Sequence, residues 1–130
     1  MKVLALDYGS ARTGVAVSDP TGTVARPLEV VERAGSGDGL DRLVALIRAE
    51  GPERIVVGLP LTLRGEHGEQ AVETVRFVEA LRAAVDVPVE EFDERFTTTL
   101  ASQTPSRAPE DARAAAHLLT TYLEWCSSRS

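Results

Sequence analysis

Apolar positions along the chain fall into eight segments with two kinds of spacing. Residues 2–8, centred on Val3-Leu4-Ala5-Leu6, form an unbroken apolar run. A strand that does not alternate is covered on both faces, so this one is expected near the middle of a sheet. Residues 13–18 read as a second strand and Pro27–Arg33 as a third. Between them lies Asp19-Pro20-Thr21-Gly22, with proline second and glycine fourth, the order that a tight turn favours. Three strands joined by short connections predict an antiparallel meander. After the glycine-rich loop Gly35–Gly39 the spacing changes. Leu40, Leu43, Val44 and Ile47 recur with a helical period, and Gly51-Pro52 stops that helix. Arg54–Pro60 is a second unbroken apolar run and so a second central strand, followed by a polar loop over Leu61–Gly68. Val72, Val75, Val78, Leu81 and Val85 mark the core face of a second helix. Val87–Phe96 reads as a fifth strand, and Thr97–Ala108 carries no clear period. A third helix runs from Pro109 to about Ser127, with Ala115, Leu118, Leu119 and Tyr122 on one stripe.

The resulting order, β-β-β-α-β-α-β-α, predicts an α/β fold. Strand–helix–strand units place strands one, four and five parallel, and the meander adds an antiparallel edge. The expectation is a mixed five-stranded sheet with helices on both faces. No repeat, linker or low-complexity stretch divides the 130 residues, so one domain over 1–130 is expected.

That topology gives the acids a meaning. In open α/β sheets the working edge lies at the carboxyl ends of the parallel strands. Asp7 ends the first strand and Asp93-Glu94 ends the fifth. Asp111 lies 4, 7, 8 and 11 residues before Ala115, Leu118, Leu119 and Tyr122, so it occupies the start of the helix's packing stripe. Carboxylates gathered on one edge repel and take up protons unless a cation joins them. Oxygen donors without cysteine or histidine suit Mg²⁺ or Mn²⁺. Such ions can activate water and stabilise the leaving oxygen in phosphodiester hydrolysis. Each acid also has a plainer reading. Pro109-Glu110-Asp111 is a favourable helix start in its own right, Asp7 beside Gly9 fits a strand end, and Asp93-Glu94-Arg95 fits a solvated strand terminus. Convergence of all three on one edge favours the metal reading. Asp7-Tyr8-Gly9-Ser10 with Gly14 also fits the phosphate hairpin of the actin and sugar-kinase superfold, but that fold clamps ATP between two such domains.

Composition narrows the picture. A net charge of −6 argues against a protein that coats nucleic acid by bulk charge. It leaves room for a nucleic-acid enzyme, because a bound cation inverts the local field. Cys126 is the one cysteine, which excludes a disulfide framework or a cysteine-rich zinc site. Lys2 is the one lysine; the other 13 of the 14 basic residues are arginines. No apolar stretch is long enough to span a membrane, and Met1-Lys2 leads straight into a strand. A cytoplasmic protein without a leader or a membrane partner is expected.

Taken together, "LALDYGSARTGVAVSD", "ARPLEVV", "IVVGLPL", "DERFTT" and "EDARAAAHLLTTYLE" resemble the YqgF (RuvX) family over essentially the whole chain. The resemblance implies an RNase H-like fold and a metal-dependent nuclease, usually assigned to maturation of the 5′ end of pre-16S rRNA and earlier to Holliday junction resolution. It places the metal-holding acids on Asp7, Glu94 and Asp111 with Mg²⁺ or Mn²⁺, and leaves Asp93 as the alternative acid. Arg95 and Thr98 match positions that face substrate, and Arg12 and Arg64 are further candidate phosphate contacts. Nucleic acid is the implied partner, RNA ahead of structured DNA. The alternatives are a junction-resolving DNA endonuclease and a non-catalytic nucleotide- or nucleic-acid-binding domain. Thr62-Leu63-Arg64-Gly65 and Ala112 differ from the family's usual residues, and the stretch from Thr98 to Asp111 is short, with Arg107 its one basic residue. A short stretch there would weaken the grip on substrate.

Overall fold

The computed structural model describes residues 1–35, 37–60, 68–93 and 110–128. Its elements are β1 (Val3–Asp7), β2 (Arg12–Ser18), β3 (Ala25–Glu32), α1 (Gly37–Glu50), β4 (Arg54–Leu59), α2 (Glu69–Ala84), β5 (Val89–Asp93) and α3 (Glu110–Ser128). The five strands form one sheet in the order β3-β2-β1-β4-β5. β1 pairs antiparallel with β2 and parallel with β4, β2 pairs antiparallel with β3, and β4 pairs parallel with β5. The expected mixed sheet is therefore present, with both unbroken apolar runs, β1 and β4, in its interior.

Strand alternation sends successive side chains to opposite faces. Leu4 and Leu6 of β1 join Val15, Ile55 and Val57 under α1 and α2, packed with Leu43, Ile47, Phe77, Val78 and Leu81. Val3 and Ala5 join Ala16, Val56 and Phe92 under α3, packed with Ala115, Leu118, Leu119 and Tyr122. Full burial of each such leucine is worth about 1.5–3 kcal/mol, which is what holds α3 on the sheet. Both stripes expected for α1 and α3 are thus the packing faces. The stripe expected for α2 is rotated. Val72 is 43% exposed, and the inward positions are Ala71, Thr74, Phe77, Val78 and Leu81. Phe77 is the reason: one large ring anchors the helix more strongly than an evenly spaced row of valines, and it stacks on Tyr8 with ring centroids 4.4 Å apart.

Two polar features set the geometry of the ends. The β2–β3 turn closes with the Gly22 amide donating to the Asp19 carbonyl at 3.0 Å, and Gly22 takes the positive φ of 72° that glycine adopts without strain. The Thr21 hydroxyl and the amides of Val24 and Thr23 all donate to the Asp19 carboxylate, which holds its pKa down to about 2. At the other end of α3, Tyr122 donates to Glu90 of β5 at 2.5 Å and accepts from Arg54 of β4 at 2.9 Å. Burial, then the bond to Glu90, raises the Tyr122 phenol's pKa, so it remains a donor across the working pH range. The ring meets Phe92 edge-on at 5.5 Å. This arrangement clamps the distal half of α3 to β4 and β5 and so directs where its first turn lands.

Candidate active site

The first turn of α3 lands on Gly14. A Cβ built on Gly14 would overlap the carbonyl oxygen of Asp111 and lie 3.0 Å from the amide nitrogen of Ala112. The helix backbone therefore rests on the strand backbone at a point where only glycine fits. Ala112 beside it is fully buried, so a small residue there lets the helix approach.

Gly14 is also the register partner of Asp7 across the β1–β2 pair. Directly opposite residues in an antiparallel ladder lie about 4.5–5.5 Å apart at Cα. Asp7 has the parity of Val3 and Ala5, so it belongs to the α3 face. Asp7 and Asp111 thus flank one glycine, on one face, at the carboxyl end of β1. Among the described residues, these are the two expected acids that the fold brings together. Both are only partly buried.

Asp93 ends β5 opposite Leu59 of β4, on the same edge of the sheet. Its parity differs from that of Asp7. Val89 packs under α1 and α2, whereas Phe92 packs under α3, so Asp93 falls with Val89 on the α1/α2 side. Glu94, Arg95, Thr98 and Arg64 lie outside the described residues.

Two features of the edge carry no motif-level signal. Arg12, the first residue of β2, points its Nε at Asp111 Oδ2 over 3.2 Å. Asp111 is therefore not a bare acid: a guanidinium already balances it. Strand parity puts Arg12 on the α3 face with Gly14 and Ala16, and the seat of α3 then brings Asp111 within its reach. The second feature is Tyr8. Its hydroxyl donates to Glu73 Oε1 at 3.0 Å while its ring stacks on Phe77. Burial, then the bond to Glu73, pushes its pKa up to about 12. Tyr8 is thus a neutral anchor that ties the end of β1 to α2 on the face opposite Asp7.

The donor set matches a hard divalent cation. Acids from two separate elements flank Gly14 without sulfur or imidazole beside them, and oxygen donors of that kind suit a hard cation. No group of three or more potential ligands occurs among the described residues. No described helix is long and apolar enough to cross a membrane.

A five-stranded β3-β2-β1-β4-β5 sheet, helices on both faces and acids at the carboxyl end of its central strand define an RNase H-like protein. In fold it is similar to RuvC of T. thermophilus in complex with a Holliday junction substrate, at a TM-score of 0.69 and 17% identity, covering 100% of this chain and 97% of that one. A fowlpox virus Holliday junction resolvase aligns at a TM-score of 0.55 and 12% identity, covering 96% and 99%. The family profile for RuvX, described as a Holliday junction resolvase, matches residues 1–125, and the chain belongs to that family. Two relatives are named as candidate pre-16S rRNA nucleases. One, from Rubrobacter xylanophilus, is 47% identical over 131 residues, covering 95% of this chain and 92% of the relative. The other, from Chloroflexus aggregans, is 41% identical over 131 residues, covering 94% and 92%.

Proposed function

We propose that this protein is a divalent-metal-dependent nuclease that hydrolyses phosphodiester bonds of RNA, with maturation of the 5′ end of pre-16S rRNA as its task and the cytoplasm as its place of action. The observation that carries the reading is the convergence of Asp7 and Asp111 on the two sides of Gly14. The names of the two relatives support RNA as the substrate. The family's description favours a second reading, cleavage of four-way DNA junctions. Matched RNA, single-stranded DNA and junction substrates, each with Mg²⁺, Mn²⁺ or EDTA, separate the two. Cleavage of the RNA alone supports the first reading, cleavage of the junction alone supports the second, and cleavage of none by the pure protein removes both.

In the proposed site, Asp7, Glu94 and Asp111 hold Mg²⁺ or Mn²⁺, which would supply activation of water and stabilisation of the departing oxygen. Arg12, Arg64, Arg95 and Thr98 are proposed to contact the substrate. Arginine suits that role because its planar fork matches phosphate oxygens. Choosing Glu94 over Asp93 rests on the family resemblance, and it is supported by the parity of Asp93, which falls on the face away from Asp7. Glu94→Gln is accordingly expected to lose at least about 10²-fold in turnover, the scale of one electrostatic catalytic group, and Asp93→Asn much less. Steady-state rates of the two purified variants decide it; the reverse order would move the assignment to Asp93.

Metal binding should also be visible without substrate. At ten times Kd, linkage adds about 1.4 kcal/mol, which is roughly 5 °C in Tm for a domain of this length. Asp111→Ala is expected to lose most of that shift. In EDTA it should cost at most about 1 kcal/mol, the worth of its exposed pair with Arg12. Thermal scans with EDTA and with Mn²⁺ make the comparison. A full metal shift in Asp111→Ala would reduce Asp111 to a favourable helix-start charge.

A further inference from the structure

The Arg12–Asp111 pair sets a conflict that the proposed metal site must resolve. Arg12 Nε and Asp111 Oδ2 are 3.2 Å apart, with side-chain exposures of 65% and 39%. A cation coordinated by Asp111 would compete for the carboxylate that the guanidinium now engages. Its charge would also repel the arginine. An exposed pair of this kind is weak, worth no more than about fivefold in an equilibrium constant, so a divalent cation can displace it. The displaced guanidinium remains tethered at the start of β2, two residues from Gly14, and its five donors are then unspent.

We propose that Arg12 is a metal-released latch: in the metal-free chain it neutralises Asp111, and when a divalent cation takes Asp111 it turns to a phosphate of the nucleic acid. This rests on the reading that Asp7 and Asp111 hold the cation. The latch does two things. It balances the charge of Asp111 before metal arrives. It also makes the phosphate grip conditional on the metal, so nucleic acid is held tightly only by a chain loaded for cleavage. Coupling of this kind is reciprocal: the factor by which the cation raises nucleic-acid affinity equals the factor by which nucleic acid raises cation affinity.

Two binding measurements without turnover test the latch. Mn²⁺ is titrated calorimetrically into the wild type, Arg12→Ala and Arg12→Lys, with Tm in EDTA checking that each variant is folded. Fluorescence anisotropy then follows a labelled RNA hairpin binding to each protein in EDTA and in Ca²⁺, another cation that takes carboxylate oxygens. Arg12→Ala is expected to bind Mn²⁺ about two- to fivefold more tightly than wild type, because the competitor for Asp111 is gone. It is expected to gain several-fold less RNA affinity from Ca²⁺ than wild type does. Arg12→Lys should fall between the two, since it keeps the charge without the fork. Equal Mn²⁺ affinity in wild type and Arg12→Ala, or equal Ca²⁺ enhancement of RNA binding, overturns the latch while leaving the metal site standing. Absence of Mn²⁺ binding by the wild type overturns the metal site and the latch with it.

Discussion

Asp7→Asn is expected to lower phosphodiester cleavage by at least about 10²-fold and to leave the fold in place. The reason lies in what holds β1 in place. β1 is held by Leu4 and Leu6 on one face, by Val3 and Ala5 on the other, and by ladders to β2 and β4. Tyr8, stacked on Phe77, anchors its end. None of these contacts requires a charge at position 7, and asparagine keeps the shape of the side chain. What asparagine loses is the anionic oxygen that a cation needs. Tm in EDTA should therefore stay within a few degrees of wild type. A purified Asp7→Asn protein that turns over substrate near the wild-type rate would refute the site.

Gly14→Ala is expected to be the more damaging change to the molecule as a whole. In an ordinary strand position this substitution stabilises, because glycine gives up more conformational entropy on folding, by roughly 0.5–1 kcal/mol. Here the new methyl would overlap the Asp111 carbonyl, which is backbone and cannot rotate aside. Overpacking a core by a methylene or more costs about 1–3 kcal/mol, and a clash against backbone belongs at or beyond the upper end. The steric effect therefore wins, and Tm should fall by about 10 °C. The protein can relieve the overlap only by moving the start of α3 off the sheet. That displaces Asp111 relative to Asp7, and a shift of about 1 Å in a reacting constellation can cost 10²-fold in rate. Gly14→Ala is thus expected to lose both stability and turnover, whereas Asp7→Asn loses turnover alone. Differential scanning calorimetry in EDTA reads the first effect. A Tm equal to or above wild type would mean that α3 does not rest on Gly14.

Much of this architecture is local information. The unbroken runs of β1 and β4 specify central strands because an apolar residue at every position must be covered on both faces. The period of Leu118, Leu119 and Tyr122 specifies a helix and its buried stripe, and Asp111 at the head of that stripe already points to the edge where β1 ends. The order of elements constrains strand pairing through the handedness of the crossovers. Those features are read along the chain because each depends on neighbours within one or two turns. Other features depend on which surfaces meet. The rotation of α2, with Val72 outward, follows from where Phe77 finds Tyr8, 69 positions earlier in the chain. The role of Gly14 follows from a helix backbone that arrives from nearly a hundred residues later. The pairing of Arg12 with Asp111 arises only once the β1–β2 register and the seat of α3 bring them within reach. Hydrophobic period determines elements and faces; the distances between charged groups at the edge are decided by backbone-on-backbone packing, which the pattern of residue types does not encode.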